Sequence, residues 1–286
     1  MKFVFKNLMT VFFILINSFY TIVVAQRSEE KLGWKLGAQA YTFRPYTFFE
    51  VLDRLDSCNL KFVGASPGRD IGGGMEGKMA YTMSTEYQRQ ILKKLSDKGI
   101  KLISYGVVVP KTKLEWVQLF EFAKNMGIKT IVSEPLKEDL PMLSKLCDRY
   151  KINLAIHNHP RPSLYWEPEI VLNSIKGLSK RVGACADVGH WVRSGLDPLE
   201  SIKKLKGHII ELHFKDLNEK SKDAHDVPWG TGICQVEDIL KELKKQRFKG
   251  AFMAEYEYKW EHNTPEVDIS AKYFREVVKK MNKDKR

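Results

Sequence analysis

Cysteine is scarce: only Cys58, Cys147, Cys185 and Cys234 occur in 286 residues. None belongs to a Cys-x-x-Cys pair, which argues against a zinc site built from them. Each falls in or beside an apolar segment, where a reduced and buried thiol is expected. No glycine fingerprint of a dinucleotide fold follows the first apolar run. The glycine-rich stretch Ile71 to Gly77 lacks the lysine and the strand-to-helix setting of a phosphate loop, so a mobile lid or plain connector is expected there. The net charge is +12, yet no basic stripe is interleaved with aromatics. Nucleic acid is therefore not an expected partner. The lysines of Lys203-Lys204, Lys241 to Lys245 and Lys279-Lys280 sit on polar faces and read as solvated surface. There is no arginine cluster to take a phosphate, and after the first 25 residues no apolar run approaches the roughly 20 residues of a membrane span.

The first 25 residues are set apart. Lys2 and Lys6 precede the apolar runs Val11–Ile16 and Phe19–Val24, and Val23-Val24-Ala25 offers a small-residue cleavage site before Gln26. This is the pattern of a secretory signal peptide. The competing reading is an uncleaved anchor. Without a cysteine near the cleavage site, no lipid anchor is expected. The mature chain, residues 26–286, is thus expected to be exported, periplasmic or secreted, with no stable membrane insertion after cleavage.

What remains alternates. Apolar strand-like runs are Leu36–Tyr41, Leu60–Ala65, Lys101–Val109, Lys129–Ser133, Ile152–Ile156, Gly183–Asp187, His208–Leu212 and Gly250–Ala254. Helical spacing separates them at Phe48–Cys58, Glu86–Lys98, Leu114–Met126, Asp139–Tyr150, Glu167–Ile175, Pro198–Leu205 and Val236–Gln246, and Val267–Met281 closes the chain. Strict alternation predicts a parallel sheet. Eight units in about 250 residues predict closure into a (β/α)8 TIM barrel forming one domain.

In such a barrel the chemistry lies at the C-terminal strand ends. Those ends carry Glu134 (fourth strand), His157 and His159 (fifth), Asp187 and His190 (sixth), His213 (seventh) and Glu255 (eighth). The opposite ends carry Lys101, Lys129, Gly183 and Gly250, with no such pattern. Asp187-x-Gly-His alone fits a helix cap as well as a ligand. Five consecutive rim positions are hard to attribute to capping, and a metal site is expected. Its oxygen-rich donors favour Mn²⁺ first, with Mg²⁺, Co²⁺ or Zn²⁺ as alternatives. Glu134 and Glu255 come from strands four apart in a ring of eight, so they face each other. That suits one carboxylate removing a proton and the other returning it.

The motifs Ser133-Glu134-Pro135, Ala186-Asp187-Val188-Gly189-His190, Glu211-Leu212-His213-Phe214-Lys215-Asp216, Val227-Pro228-Trp229-Gly230-Thr231-Gly232 and Ala254-Glu255-Tyr256-Glu257 resemble the xylose-isomerase-like barrel superfamily, the sugar phosphate isomerase/epimerase group. The resemblance runs in order through the whole mature chain. It implies Glu134, Asp187, His213 and Glu255 as metal ligands, with Glu134 and Glu255 doubling as the acid/base pair. It implies substrate contacts from His190 and from a basic residue near Lys215, with the Pro-x-Gly-x-Gly loop closing beside the metal. His157 and His159 are placed to touch substrate, or one of them to orient a ligand. Lys215 is open to pairing with Asp216 or Glu257 instead. Many relatives carry an acid after the second strand, where this chain has Ala65-Ser66-Pro67. Trp191, Trp229, Tyr256 and Trp260 fall in rim loops and suit the apolar face of a sugar.

The activity expected is a metal-dependent isomerase or epimerase, abstracting a proton beside a carbonyl on an unphosphorylated keto-sugar or cyclitol. The alternative is a lyase or hydratase acting on 3-keto-glycosides or their glucal products with the same first step. A metal-dependent hydrolase and a non-catalytic sugar-binding barrel rank below both. Homodimers are common in the resembled superfamily, though no interface signal is read here.

Overall fold

The computed structural model describes residues 27–283, so the signal peptide expected at residues 1–25 lies outside the described residues. Eight parallel strands close a barrel: β1 (Lys35–Gln39), β2 (Phe62–Ala65), β5 (Lys101–Tyr105), β6 (Thr130–Ser133), β7 (Asn153–His157), β8 (Val182–Asp187), β9 (Ile209–Phe214) and β10 (Ala251–Ala254), with β10 pairing back on β1. The two remaining strands, β3 (Asp70–Gly72) and β4 (Met75–Lys78), form a separate antiparallel hairpin.

Helices alternate with the strands: α1 (Phe48–Ser57), α2 (Thr85–Asp97), α3 (Lys113–Asn125), α4 (Leu140–Tyr150), α5 (Pro168–Ile175), α6 (Val188–Arg193), α7 (Pro198–Lys204), α8 (Val236–Lys245) and α9 (Thr264–Lys283). Local chemistry starts several of them. Thr47 with Glu50, and Thr112 with Glu115, form reciprocal capping boxes at α1 and α3. Each satisfies helix-end N–H groups that would otherwise lack partners. Among the described residues, no helix is long and apolar enough to cross a membrane.

The core joins the helical layer to the strands. Trp34 packs on Phe252 at 4.8 Å between ring centroids, Phe252 on Phe274 at 5.0 Å, and Phe214 on Trp229 at 5.0 Å. Burying such a side chain is worth roughly 1.5–3 kcal/mol. All four cysteines are free and buried, as the sequence predicts.

Three elements differ from expectation. The stretch expected as a lid or connector contains the β3–β4 hairpin, because Ile71 is fully buried and β3 packs against α1. The strand expected to reach Val109 ends at Tyr105. Gly106 follows with φ +155°, and a Cβ there would sit 2.1 Å from the Val132 carbonyl oxygen. The third difference is α6, a short helix directly after β8 that the spacing did not reveal.

Candidate functional site

β8 ends at Asp187, whose side chain has two jobs. Oδ1 accepts from the His190 N–H at 2.8 Å and so caps α6. Oδ2 is left for the barrel mouth, where Lys215 Nζ lies 2.5 Å away, His190 Nε2 3.5 Å and His157 Nε2 3.6 Å. Asn158 fixes this strand end from β7's side. It donates to the Asp187 carbonyl at 2.9 Å and accepts from the Asp187 N–H at 2.8 Å. The motif therefore caps and binds at once.

Glu134, just past β6, and Glu255, just past β10, stand on opposite strands of the ring. Each is engaged through one oxygen. Glu134 Oε1 faces His157 Nδ1 at 3.3 Å, accepts from the His159 N–H at 3.1 Å and pairs with His159 Nδ1. Glu255 Oε2 lies 3.1 Å from His213 Nδ1 and 2.5 Å from Lys215 Nζ. Neither Glu134 Oε2 nor Glu255 Oε1 takes part in these contacts. Between the two carboxylates, His157 is the hub of an imidazole cluster, with ring centroids 4.5 Å from His159, 4.8 Å from His213 and 5.7 Å from His190.

The mouth is a cleft of about 530 Å³ lined by residues that include Tyr41, Ser66, Val107, His159, Glu255 and Glu257, with His157 and His190 also in its wall. That volume suits a small-molecule ligand. Its electrostatics follow from burial and neighbours. Burial pushes Glu134 up, but hydrogen bonds from His157 and His159 outweigh it and bring the carboxyl down to about 2. Burial likewise opposes ionisation of Glu255, and the charges of His213 and Lys215 hold it well below the usual carboxylate range. His190 is kept far below the ordinary imidazole range by burial, so it is neutral. Burial works against a charge on His159 too, yet Glu134 raises it. Cys185, beneath the mouth, is pushed up to about 11 by burial and stays a thiol.

The ligand set implied by the resemblance is redistributed. Asp187 and Glu255 gather with His157 and His190; Glu134 with His157 and His159; His213 with Cys185 and Glu211. His157, expected as a substrate contact, is common to two of these groups. Two expected substrate contacts are corrected. Lys215 is fully buried and holds Asp187 and Glu255 together. Trp229 points away from the cleft, stacked on Phe214 and Phe274, because its ring completes the helix–barrel core. Trp191 and Tyr256 are buried as well, and only Trp260 of the four rim aromatics is partly exposed, edge-on to Tyr41 at 5.7 Å.

Several residues take supporting roles that the motifs did not specify. Asp216 accepts N–H groups from Gly230 (2.8 Å), Gly232 (3.0 Å) and Cys234 (2.9 Å), and thereby shapes the Pro-x-Gly-x-Gly loop. Arg193 bridges Asp226 at 2.9 Å and Glu257 at 3.0 Å behind the site. Inside the barrel Glu211 accepts from Ser104 at 2.8 Å. Their signal was faint: Asp216 adjoins Lys215, and Arg193 lies one helical turn beyond His190.

The donors fit a divalent cation. The buried Nε2 atoms of His157 and His213 have no hydrogen-bond partner. Four ligand atoms from His157, Asp187, His190 and Glu255 lie within 4.8 Å of one another. Imidazole nitrogens with carboxylate oxygens suit Zn²⁺, Mn²⁺ or Mg²⁺.

Comparison with known proteins agrees with this architecture. "Inosose dehydratase 2" of Bacillus cereus is 26% identical over 140 residues, 43% of this chain and 47% of that protein. The chain thus matches about half the length of this curated relative. A solved structure of an uncharacterised protein from Parabacteroides distasonis is 32% identical with a TM-score of 0.71, covering 85% of this chain and 99% of the other. The IolI protein, solved with a zinc atom, shares the fold at 18% identity and a TM-score of 0.64, over 86% of this chain and 98% of its own. A family model described as xylose isomerase-like TIM barrel matches residues 69–277, a span that runs from the β3–β4 hairpin into α9 and holds every carboxylate and histidine of the mouth, and the chain belongs to that family.

Proposed function

We propose that this chain is a sugar-modifying enzyme that takes a proton from the carbon beside a carbonyl of an unphosphorylated keto-sugar or keto-cyclitol. The observation that carries the reading is the pair of opposed carboxylates at the barrel mouth, each held through one oxygen while the other stays outside those contacts. Both carboxylates are ionised over the working range and so in the form that accepts a proton, and a second proton-carrying group across the site completes the reaction.

Elimination of water is favoured over simple proton return. The named relative is a dehydratase, and His159 offers a proton donor paired with Glu134. In this scheme Glu255 Oε1 accepts the proton from the carbon. The hydroxyl on the next carbon leaves with a proton from the His159 ring, whose Nδ1 faces Glu134. The hydroxyl leaves as water with the His159 proton, and the proton held on Glu255 passes to solvent while His159 regains one from it, so the net loss is one water. Neutral His190 is positioned in the cleft wall to orient a substrate oxygen. His157, Asp187, His190 and Glu255 are the residues that would hold a divalent cation, which when bound polarises the carbonyl and acidifies the adjacent C–H. If the proton is instead returned to the other face, the same groups perform epimerisation, and the two opposed carboxylates support that second reading.

Incubating residues 26–286 with an inosose, free ketoses and 3-keto-glucosides, with Mn²⁺, and following products by NMR separates the outcomes. A product lighter by one water supports elimination, and an isomer of unchanged mass supports epimerisation. No conversion of any of these compounds contradicts the reading. We place the enzyme outside the cytoplasm, in keeping with the leader pattern and an unphosphorylated substrate.

A further inference from the structure

Asp187 and Glu255 face two rival cations. Lys215 Nζ sits 2.5 Å from Asp187 Oδ2 and 2.5 Å from Glu255 Oε2, fully buried. The same Asp187 Oδ2 lies within 3.6 Å of His157 Nε2 and 3.5 Å of His190 Nε2, the other donors of the cluster. An ammonium and a divalent cation on the same buried oxygens repel each other strongly. A third carboxylate stands within reach. Glu257 Oε2 is 3.4 Å from Lys215 Nζ, and Glu257 lines the cleft. It already accepts from Arg193, which also donates to Asp226 and to the Ala224 carbonyl.

The stem of Lys215 is confined, and its buried tip stands among three carboxylates. It runs over Gly189, where a Cβ would come within 2.8 Å of Lys215 Cδ and 2.9 Å of Lys215 Cβ. Any larger residue at 189 would crowd this stem. Glu257 Oε2 is already 3.4 Å from Nζ, so a small shift of the tip would bring the two into contact.

We propose that Lys215 is a two-position ammonium: it holds Asp187 and Glu255 together in the metal-free protein, and yields them to a divalent cation by turning to Glu257 at the cleft wall. This rests on the metal-dependent reading above. It couples metal binding to assembly of the site, since the cation's arrival moves the ammonium from Asp187 and Glu255 to Glu257. Lysine's flexible four-carbon stem and rotatable donors allow this, where a planar guanidinium would not.

The test is Mn²⁺ binding by calorimetry to the chelator-treated chain, as wild type, Lys215→Met, Glu257→Gln and the double variant. Lys215→Met is expected to bind Mn²⁺ about tenfold tighter, Glu257→Gln several-fold weaker, and the second change to have no effect once the first is made, the signature of coupled residues. Equal affinity of wild type and Lys215→Met, or the same loss from Glu257→Gln in both backgrounds, overturns the lysine's role alone. No Mn²⁺ binding by any of the four proteins overturns the metal-dependent reading with it. If circular dichroism shows Lys215→Met unfolded, reductive methylation of the wild type read by mass spectrometry decides. Lys215 is expected to be unreactive without metal and modified with saturating Mn²⁺, and unchanged protection contradicts the proposal.

Discussion

At the scale of single residues, the mouth of the barrel is governed by which oxygen is committed and which is free. Glu134 illustrates the cost and the consequence. Burial opposes its charge, but His157 and His159 stabilise that charge more, and its carboxyl sits at about 2 in the folded chain against an ordinary 4.5. The folded state thus binds this proton more weakly than the unfolded state. Glu134's contribution to stability is therefore complete above about pH 4.5 and is lost as pH falls toward about 2. In metal-free protein, Glu134→Gln should flatten the acid side of the melting-temperature profile over that window. An unchanged acid slope would show that the pairing with His159 carries no such weight. The acids and histidines of the rim were legible from strand ends, since residue type and barrel geometry suffice to place Glu134, His157, His159, Asp187, His190, His213 and Glu255 at one mouth. Their pairings were not legible. Which nitrogen faces which oxygen depends on a few ångströms of register and on Lys215, whose burial between two acids no linear pattern reveals.

At the scale of elements, α6 and the rim loop after β9 show where sequence patterns stop short. Six residues are too few for helical periodicity, so α6 was hidden, although its cap, Asp187, was noted as an alternative use of that residue. The hairpin β3–β4 was hidden for a different reason: its strands are short and glycine-rich, so neither their antiparallel pairing nor the burial of Ile71 leaves a period in the sequence. Trp229 shows the converse error, since a rim position in sequence says nothing of where the side chain points. Its ring lies 5.0 Å from Phe214 and 6.0 Å from Phe274. Trp229→Ala should therefore cost about 3–5 kcal/mol of stability by cavity formation, measured by urea unfolding. A stable variant with selectively weakened sugar binding would instead restore Trp229 to the site.

At the scale of the whole molecule, the eight-fold alternation was legible because each strand is a short apolar run between longer amphipathic segments, and closure follows from number and length. The barrel then does the one thing the linear sequence cannot: it brings residues 134 and 255, from the fourth and eighth barrel strands, to opposite sides of one mouth. The export expectation belongs to this scale too. Mass spectrometry of the protein expressed in a host with a secretory pathway should find a mature chain that begins at Gln26. An intact chain retained with Met1 in the membrane fraction would favour the uncleaved anchor.

The central claim, proton abstraction beside a carbonyl by opposed carboxylates, is tested most directly by deuterium uptake. Residues 26–286, stripped of metal and reloaded with Mn²⁺, would be incubated in D₂O with an inosose and the keto-sugars above. Uptake at the carbon beside the carbonyl is predicted for the wild type, slowed about 10²- to 10⁴-fold in Glu255→Gln. Retention of the original hydrogen beside the carbonyl in both substrate and product with metal bound, or equal rates in wild type and Glu255→Gln, would contradict the account.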